Sequence, residues 1–166
     1  MGADIHMYAE RQLSNGDWAM CEDFKSKDYA VYNHKGVLGD YTRLFPRVND
    51  RDYRFFAALA GVRGVGPDPK GLPDDVSPYV KEASDGWDGD GHSHSWYLAS
   101  EFVPIFMEHR LNEAEIVETM EKRMNASSPE AVAHILEKYL GLEVPEMYGE
   151  DGPQIDKLRF VFWFDN

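Results

Sequence analysis

Two short motifs carry residue types suited to chemistry: Asp4-Ile5-His6 at the start of the chain and His92-Ser93-His94 past its middle. In an extended strand, residues two apart project to the same side, so each tripeptide would place two metal ligands on one face. Asp4, His6, His92 and His94 together offer one carboxylate and three imidazole nitrogens, a set open to a divalent ion such as zinc, manganese or magnesium. A bland explanation stands beside each motif. An Asp-x-His pair on an exposed strand is usually surface decoration, and a Gly/Asp/Ser/His loop forms hydrogen-bonded turns without any ion. The histidine pair is the stronger signal, because it ends the run Asp88-Gly89-Asp90-Gly91, where glycines allow close backbone approach and two more carboxylates stand by.

An ion held there would polarise a phosphoryl oxygen and lower the pKa of bound water toward about 7. Asp90 or Asp165 would then be a further ligand or a general base, with Glu10 as a third candidate. Arg51, Arg54 and Arg63 would neutralise phosphate by bidentate contact, unless they pair with nearby acids such as Asp50 and Asp52. The function so described is metal-dependent hydrolysis of a small nucleotide or phosphodiester. A second function, from a different class, is a protein that sequesters a nucleotide signal without altering it. There Trp87, Trp96 and Tyr97 would stack on the base, and His92 and His94 would be hydrogen-bonding pocket walls. A third is an acidic module that blocks a basic protein partner. The acids Glu113, Glu115, Glu118 and Glu121 on one helix fit that idea and fit a solvated face equally.

The chain of 166 residues and 19.0 kDa suits a single domain spanning 1–166. Apolar residues make up 43 % and charged residues 28 %, a composition that folds. A net charge of −13 argues against holding duplex nucleic acid through phosphate neutralisation and against an anionic membrane surface. Cys21 is the only cysteine, which excludes an internal disulfide and a multi-cysteine zinc cage and fits a reducing, cytoplasmic setting. No apolar run approaches the roughly 20 residues of a membrane span, and no signal-peptide pattern opens the chain. A homo-oligomer is compatible with all of this.

The elements that must position these residues follow from periodicity. Residues 3–10 alternate, with Ile5, Met7 and Ala9 on one side and Asp4, His6, Tyr8 and Glu10 on the other. Ser14-Asn15-Gly16-Asp17 supplies a hairpin turn, after which Trp18–Cys21 returns antiparallel. Asp28–Asn33 reads as a third short strand and His34–Val48 as loop. A helix starts at Asn49 or Asp50 and carries Tyr53, Phe56, Ala57 and Ala60 inward until the glycines at 61 and 64. Between Gly64 and Gly91 six glycines and four prolines make a long irregular segment, interrupted by one helical turn at Ser77-Pro78; such a segment is read as a functional loop. Helices then follow over 100–110, from Asn112 with Ile116, Val117, Met120 and Met124 inward, and from Ser128-Pro129 to Gly141 with Val132, Ile135, Leu136, Tyr139 and Leu140 inward. Residues 142–157 read as an acidic surface loop. Leu158–Asp165 is apolar on both faces and belongs in the middle of a sheet. The fold class is α+β: a small, mainly antiparallel sheet, built from the N-terminal hairpin and the central C-terminal strand, covered by three to four helices.

The pattern Asp-x-His, Gly39-Asp40 and Gly91-His92-Ser93-His94 resembles the dimetal phosphoesterases of the calcineurin-like superfamily in part. Their Gly-Asn-His-Asp/Glu element is absent after Gly39-Asp40, and the first motif here leads into a hairpin, so homology is not inferred. A fuller resemblance rests on Met1-Gly2-Ala3-Asp4-Ile5-His6-Met7-Tyr8-Ala9-Glu10, residues 51–63, Gly71-Leu72-Pro73-Asp74-Asp75-Val76-Ser77, His92-Ser93-His94-Ser95-Trp96 and the terminal Phe162-Trp163-Phe164-Asp165-Asn166. In these the chain resembles a family of small uncharacterised proteins encoded by bacteriophages and prophages. The resemblance transfers no catalytic role. It implies an accessory phage protein in the host bacterial cytoplasm, a setting in which small proteins counter host defence, including defence relayed by nucleotide signals.

Overall fold

The structure is a computed structural model that describes residues 2–21, 47–48, 51–122, 128–142, 144 and 152–166. The strand expected at Asp28–Asn33, the motif Gly39-Asp40, the cap candidates Asn49 and Asp50 and the expected core residue Met124 lie outside these residues. Four strands, β1 (Asp4–Gln12), β2 (Trp18–Met20), β3 (His92–Leu98) and β4 (Leu158–Asp165), form one antiparallel sheet in the order β2-β1-β4-β3. Five helices accompany it among the described residues: α1 (Tyr53–Ala60), α2 (Pro78–Asp85), α3 (Ala99–Arg110), α4 (Glu113–Lys122) and α5 (Pro129–Leu140). The α+β class and the central place of the C-terminal strand match the periodicity. The helices number one more than expected, and β3 occupies a stretch expected to be the end of a loop.

The sheet is central because β1 and β4 are buried on both faces and are paired along almost their full length, from Asp4 opposite Asp165 to Arg11 opposite Leu158. On one face Ile5, Met7 and Ala9 stand opposite Phe164, Phe162 and Phe160. Helices α1 and α3 cover this face, with Phe56 5.0 Å from Phe164 and Phe102 4.2 Å from Phe160 between ring centroids. Fully burying such a ring contributes about 1.5–3 kcal/mol, so the ladder of phenylalanines is the main anchor of the fold. The opposite face carries His6, Tyr8, Glu10, Arg159, Val161 and Trp163, and α2 packs there through Tyr79, 6.4 Å from Tyr8.

Local signals set the helix ends, with one shift from expectation. Asp52, not Asn49 or Asp50, caps α1: its Oδ1 accepts from the N–H groups of Arg54 and Phe55, and Gly61 closes the helix at φ 67°. Phe56, Ala57 and Ala60 are buried as the spacing predicts, Phe55 and Leu59 are buried beside them, and Tyr53 is exposed instead. Ser77 and Ser128 cap α2 and α5, each followed by proline, as read from the sequence. In α4 the capping by Asn112 holds, but Val117 and Met120 are exposed and Thr119 is the buried residue. The expected surface loop over 142–157 is also partly corrected, since Leu142, Val144 and Ile155 are core residues. No helix among the described residues is long and apolar enough to cross a membrane.

Candidate functional site

The register of the sheet brings the two chemical motifs to the same end. Asp4 pairs with Asp165, His6 with Trp163, and His92 with Phe164, so both motifs border the last turn of β4. Asp165 Oδ1 accepts from the Asp4 N–H at 3.1 Å, and its Oδ2 lies 3.3 Å from His6 Nε2. Asp4 is bound on its other side by Arg51, whose Nε and Nη2 donate to the two carboxylate oxygens at 2.5 and 2.7 Å. That bidentate guanidinium holds the Asp4 carboxyl below its ordinary 3.8, against a smaller opposing effect of burial.

In β3 the spacing rule fails. Phe164 to Phe162 is two residues on β4, yet their partners His92 and Ser95 are three apart, so one extra residue bulges from the strand. Ser93 takes the left-handed conformation that makes this possible, with φ 53°. The bulge separates the two imidazoles. His92 stacks on Phe164 on the helix-covered side, ring centroids 6.2 Å apart, while His94 stacks on Trp163 on the opposite side at 5.7 Å. His6 reaches the same Trp163 from β1 at 6.1 Å and contacts Trp87 at 4.0 Å.

The set Asp4, His6, His92 and His94 therefore does not meet at one point. β1 and β3 are separated by β4, two strand spacings or about 9.5 Å, and the Trp163 indole stands between the imidazoles of His6 and His94. Among the described residues no three His, Cys, Asp or Glu side chains are grouped so as to hold a metal ion. What the arrangement builds instead is a layered ring cluster, Trp87, His6, Trp163 and His94, with Tyr8 stacked on Trp163 at 5.2 Å.

Beside this cluster lies an open cleft of about 600 Å³ lined by Gly71, Leu72, Ser84, Asp85, Asp88 and His94. Its rim is pinned to β3: the Gly71 N–H donates to the His94 carbonyl at 2.8 Å, and the Lys70 N–H to Ser95 Oγ at 3.2 Å. Burial, and secondarily the charge of His92, keeps the His94 imidazole below its ordinary 6.5, with Asp85 opposing. At neutral pH the cleft therefore presents a neutral imidazole and two exposed carboxylates.

The remaining candidates are dispersed. Glu10 is fully buried, and both its carboxylate oxygens are committed, Oε1 to Arg159 Nε and Oε2 to the Ser77 N–H, each at 2.7 Å. Its place is structural. Asp90 is exposed on the short turn Asp88–Asp90. Arg51 is committed to Asp4, Arg54 is exposed on α1, and Arg63 donates to Asn166 Oδ1 at 3.3 Å; none of the three lines the cleft. Trp87 belongs to the ring cluster, whereas Trp96 and Tyr97, being consecutive in β3, face opposite sides of the sheet. Tyr97 is a core residue whose hydroxyl donates to the Leu59 carbonyl at 2.7 Å. Trp163, Ser84 and Asp85 went unselected by sequence reasoning, and Asp88 was marked only as a carboxylate standing by the histidine pair. The alternation that put Trp163 on one face of β4 with Asp165 was the signal for the first; nothing marked Ser84 or Asp85. No family model, curated protein or solved structure matches this chain.

Proposed function

We propose that the chain is a binding protein that sequesters a small nucleotide-like ligand, acting in the cytoplasm of a bacterial host as an accessory phage protein. The observation that supports binding is the open cleft floored by His94 and backed by the Trp87, His6, Trp163 ring cluster. Its volume is that of a small-molecule site, and rings beside hydrogen-bonding groups suit a base more than a phosphate. Asp85 and Asp88 accept from amino or ring N–H groups and repel phosphate, so the base enters and the phosphates remain outside. Hydrolysis by a divalent ion, the function favoured by the sequence, asks for four ligands at one point, and these residues stand on both sides of Trp163 and on two faces of the sheet.

Purified protein incubated with a panel of ribonucleotides and cyclic dinucleotides, with and without chelator, separates the two. The expected result is a ligand that co-elutes with the protein and is recovered unaltered after denaturation, chelator or not. A product whose formation stops with chelator establishes the metal-dependent hydrolase instead. Neither capture nor turnover leaves the acidic module that blocks a protein partner.

A further inference from the structure

The two edges of the sheet end differently. At β3 the chain covers its own edge, where the Gly71 N–H donates to the His94 carbonyl and the Lys70 N–H to Ser95 Oγ. At β2 the pairing with β1 decides which main-chain groups look outward. The Cys21 N–H donates to the Ala9 carbonyl at 2.9 Å and the Leu13 N–H to the Asp17 carbonyl at 2.7 Å, so the hydrogen-bonded pairs are 9 with 21, 11 with 19 and 13 with 17. The N–H and C=O groups of Trp18 and Met20 therefore point away from β1, and among the described residues nothing pairs with them. Such an edge is a template for another strand.

Beside this edge lies a cleft of about 520 Å³, lined by Trp18 and Met20 from the sheet and by Pro78 and Tyr79 from the first turn of α2. Its walls are held together by Glu10, which accepts from the Ser77 N–H and from Arg159, whose guanidinium lies 4.0 Å over the Trp18 ring. Arg11 is the one charged side chain among the described lining residues, and its pairing with Ala19 puts both on the opposite face from Trp18 and Met20. In a chain of net charge −13, this edge offers a cation.

We propose that the β2 edge binds an extended peptide of a partner protein, which adds antiparallel to the sheet as a fifth strand. Peptide residues opposite Trp18 and Met20 bond to their outward main-chain groups and turn their side chains onto the α2 face, into the cleft, so these residues are apolar. The residue between them, opposite Ala19, projects on the side of Arg11 and is acidic. Main-chain pairing supplies affinity and the apolar-acidic alternation supplies specificity. This site is separate from the cleft at His94 and does not depend on what binds there.

The test titrates the full chain, labelled with ¹⁵N, with a capped five-residue peptide of sequence threonine, valine, glutamate, valine, threonine. The peptide is expected to shift the amide signals of Trp18 and Met20 and to slow their hydrogen exchange. Antiparallel addition turns the valine N–H groups toward β2 and the threonine N–H groups to solvent. N-methylation of both valines should therefore weaken binding by about tenfold or more, the scale of two hydrogen bonds, and N-methylation of both threonines by less than about twofold. Lysine in place of the central glutamate should also weaken binding, and Arg11→Gln should shrink that difference. Equal losses from the two methylations, a greater loss at threonine, or no response of Trp18 and Met20 at millimolar peptide overturns the inference. Because the methylation contrast is read on the wild-type chain, a poorly folded Arg11→Gln does not blunt the test.

Discussion

His92 and His94, two positions apart in one strand, stack on opposite faces of the sheet, the first on Phe164 and the second on Trp163. Ser93 is the cause, a bulge residue with φ 53° that absorbs one position of the register.

Substitution at Ser93 should follow backbone preference before side-chain chemistry. Ser93→Val puts a β-branched residue in the left-handed region and is expected to cost about 1–3 kcal/mol. Ser93→Gly meets no such strain and should be neutral or stabilising by up to about 1 kcal/mol. Urea unfolding of the two variants checks the order; a valine variant as stable as the glycine variant would mean that the strand runs without its bulge.

The pair Glu10 and Arg159 should behave as a buried structural ion pair. Arg159 is buried against Trp18 at 4.0 Å, with Nη1 reaching Asp75 at 2.6 Å and Nε reaching Glu10. Glu10→Gln keeps the shape but leaves a buried guanidinium short of its anion, and a loss of about 3–5 kcal/mol is expected. Asp75→Asn should cost much less, since the Asp75 side chain is 64 % exposed. A Glu10→Gln variant with an unchanged unfolding midpoint would show that the pair contributes nothing.

The apolar skeleton was legible because its signals are redundant. Leu158, Phe160, Phe162 and Phe164 alternate with Val161 and Trp163, and only an interior strand buries both sets. The site was half legible. Pairing Asp4 with Asp165 brought the motifs to one sheet end, but the ligand geometry depended on a strict two-residue period through Ser93, and no residue type forces or forbids a bulge there. The cleft wall from α2 was illegible for another reason: Ser84 and Asp85 reach it by tertiary packing across the Gly/Pro segment, which carries no periodicity to read.

Arg47 and Glu115 should impose an acid limb on stability. Two hydrogen bonds from Arg47, at 2.6 and 2.7 Å, and the Asn112 N–H pull the Glu115 carboxyl from 4.5 down to about 2. A folded-state value below the unfolded one stabilises fully above about pH 4.5, and this stabilisation fades as pH falls through about 2. Arg47→Ala should therefore be less stable than the wild type at neutral pH, with the gap closing between these limits. Thermal melts from neutral pH downward in low salt give the comparison; a gap that stays constant to the acid end would assign the effect of Arg47 to packing on Tyr139, over which its guanidinium lies at 4.8 Å.

His94 should impose a second, milder limb at higher pH. Its imidazole titrates below 6.5 in the folded chain because burial, and then His92, disfavour the cation, while Asp85 favours it. Between that lowered value and 6.5 the unfolded chain binds more protons, so folding stability rises with pH across the window and falls as acid is added. The facing groups are His92 and Asp85 by charge, the Trp163 ring by stacking, and Asp88 and Ser84 across the cleft. His94→Gln removes the titration and keeps a polar side chain. It should lose less stability than the wild type between about pH 7 and pH 5, while Asp85→Asn, which strips the one opposing charge, should steepen the wild-type loss. Parallel profiles for the wild type and His94→Gln would mean that the imidazole is as well solvated in the folded chain as in the unfolded one, and would deprive the cleft of its neutral hydrogen-bonding floor.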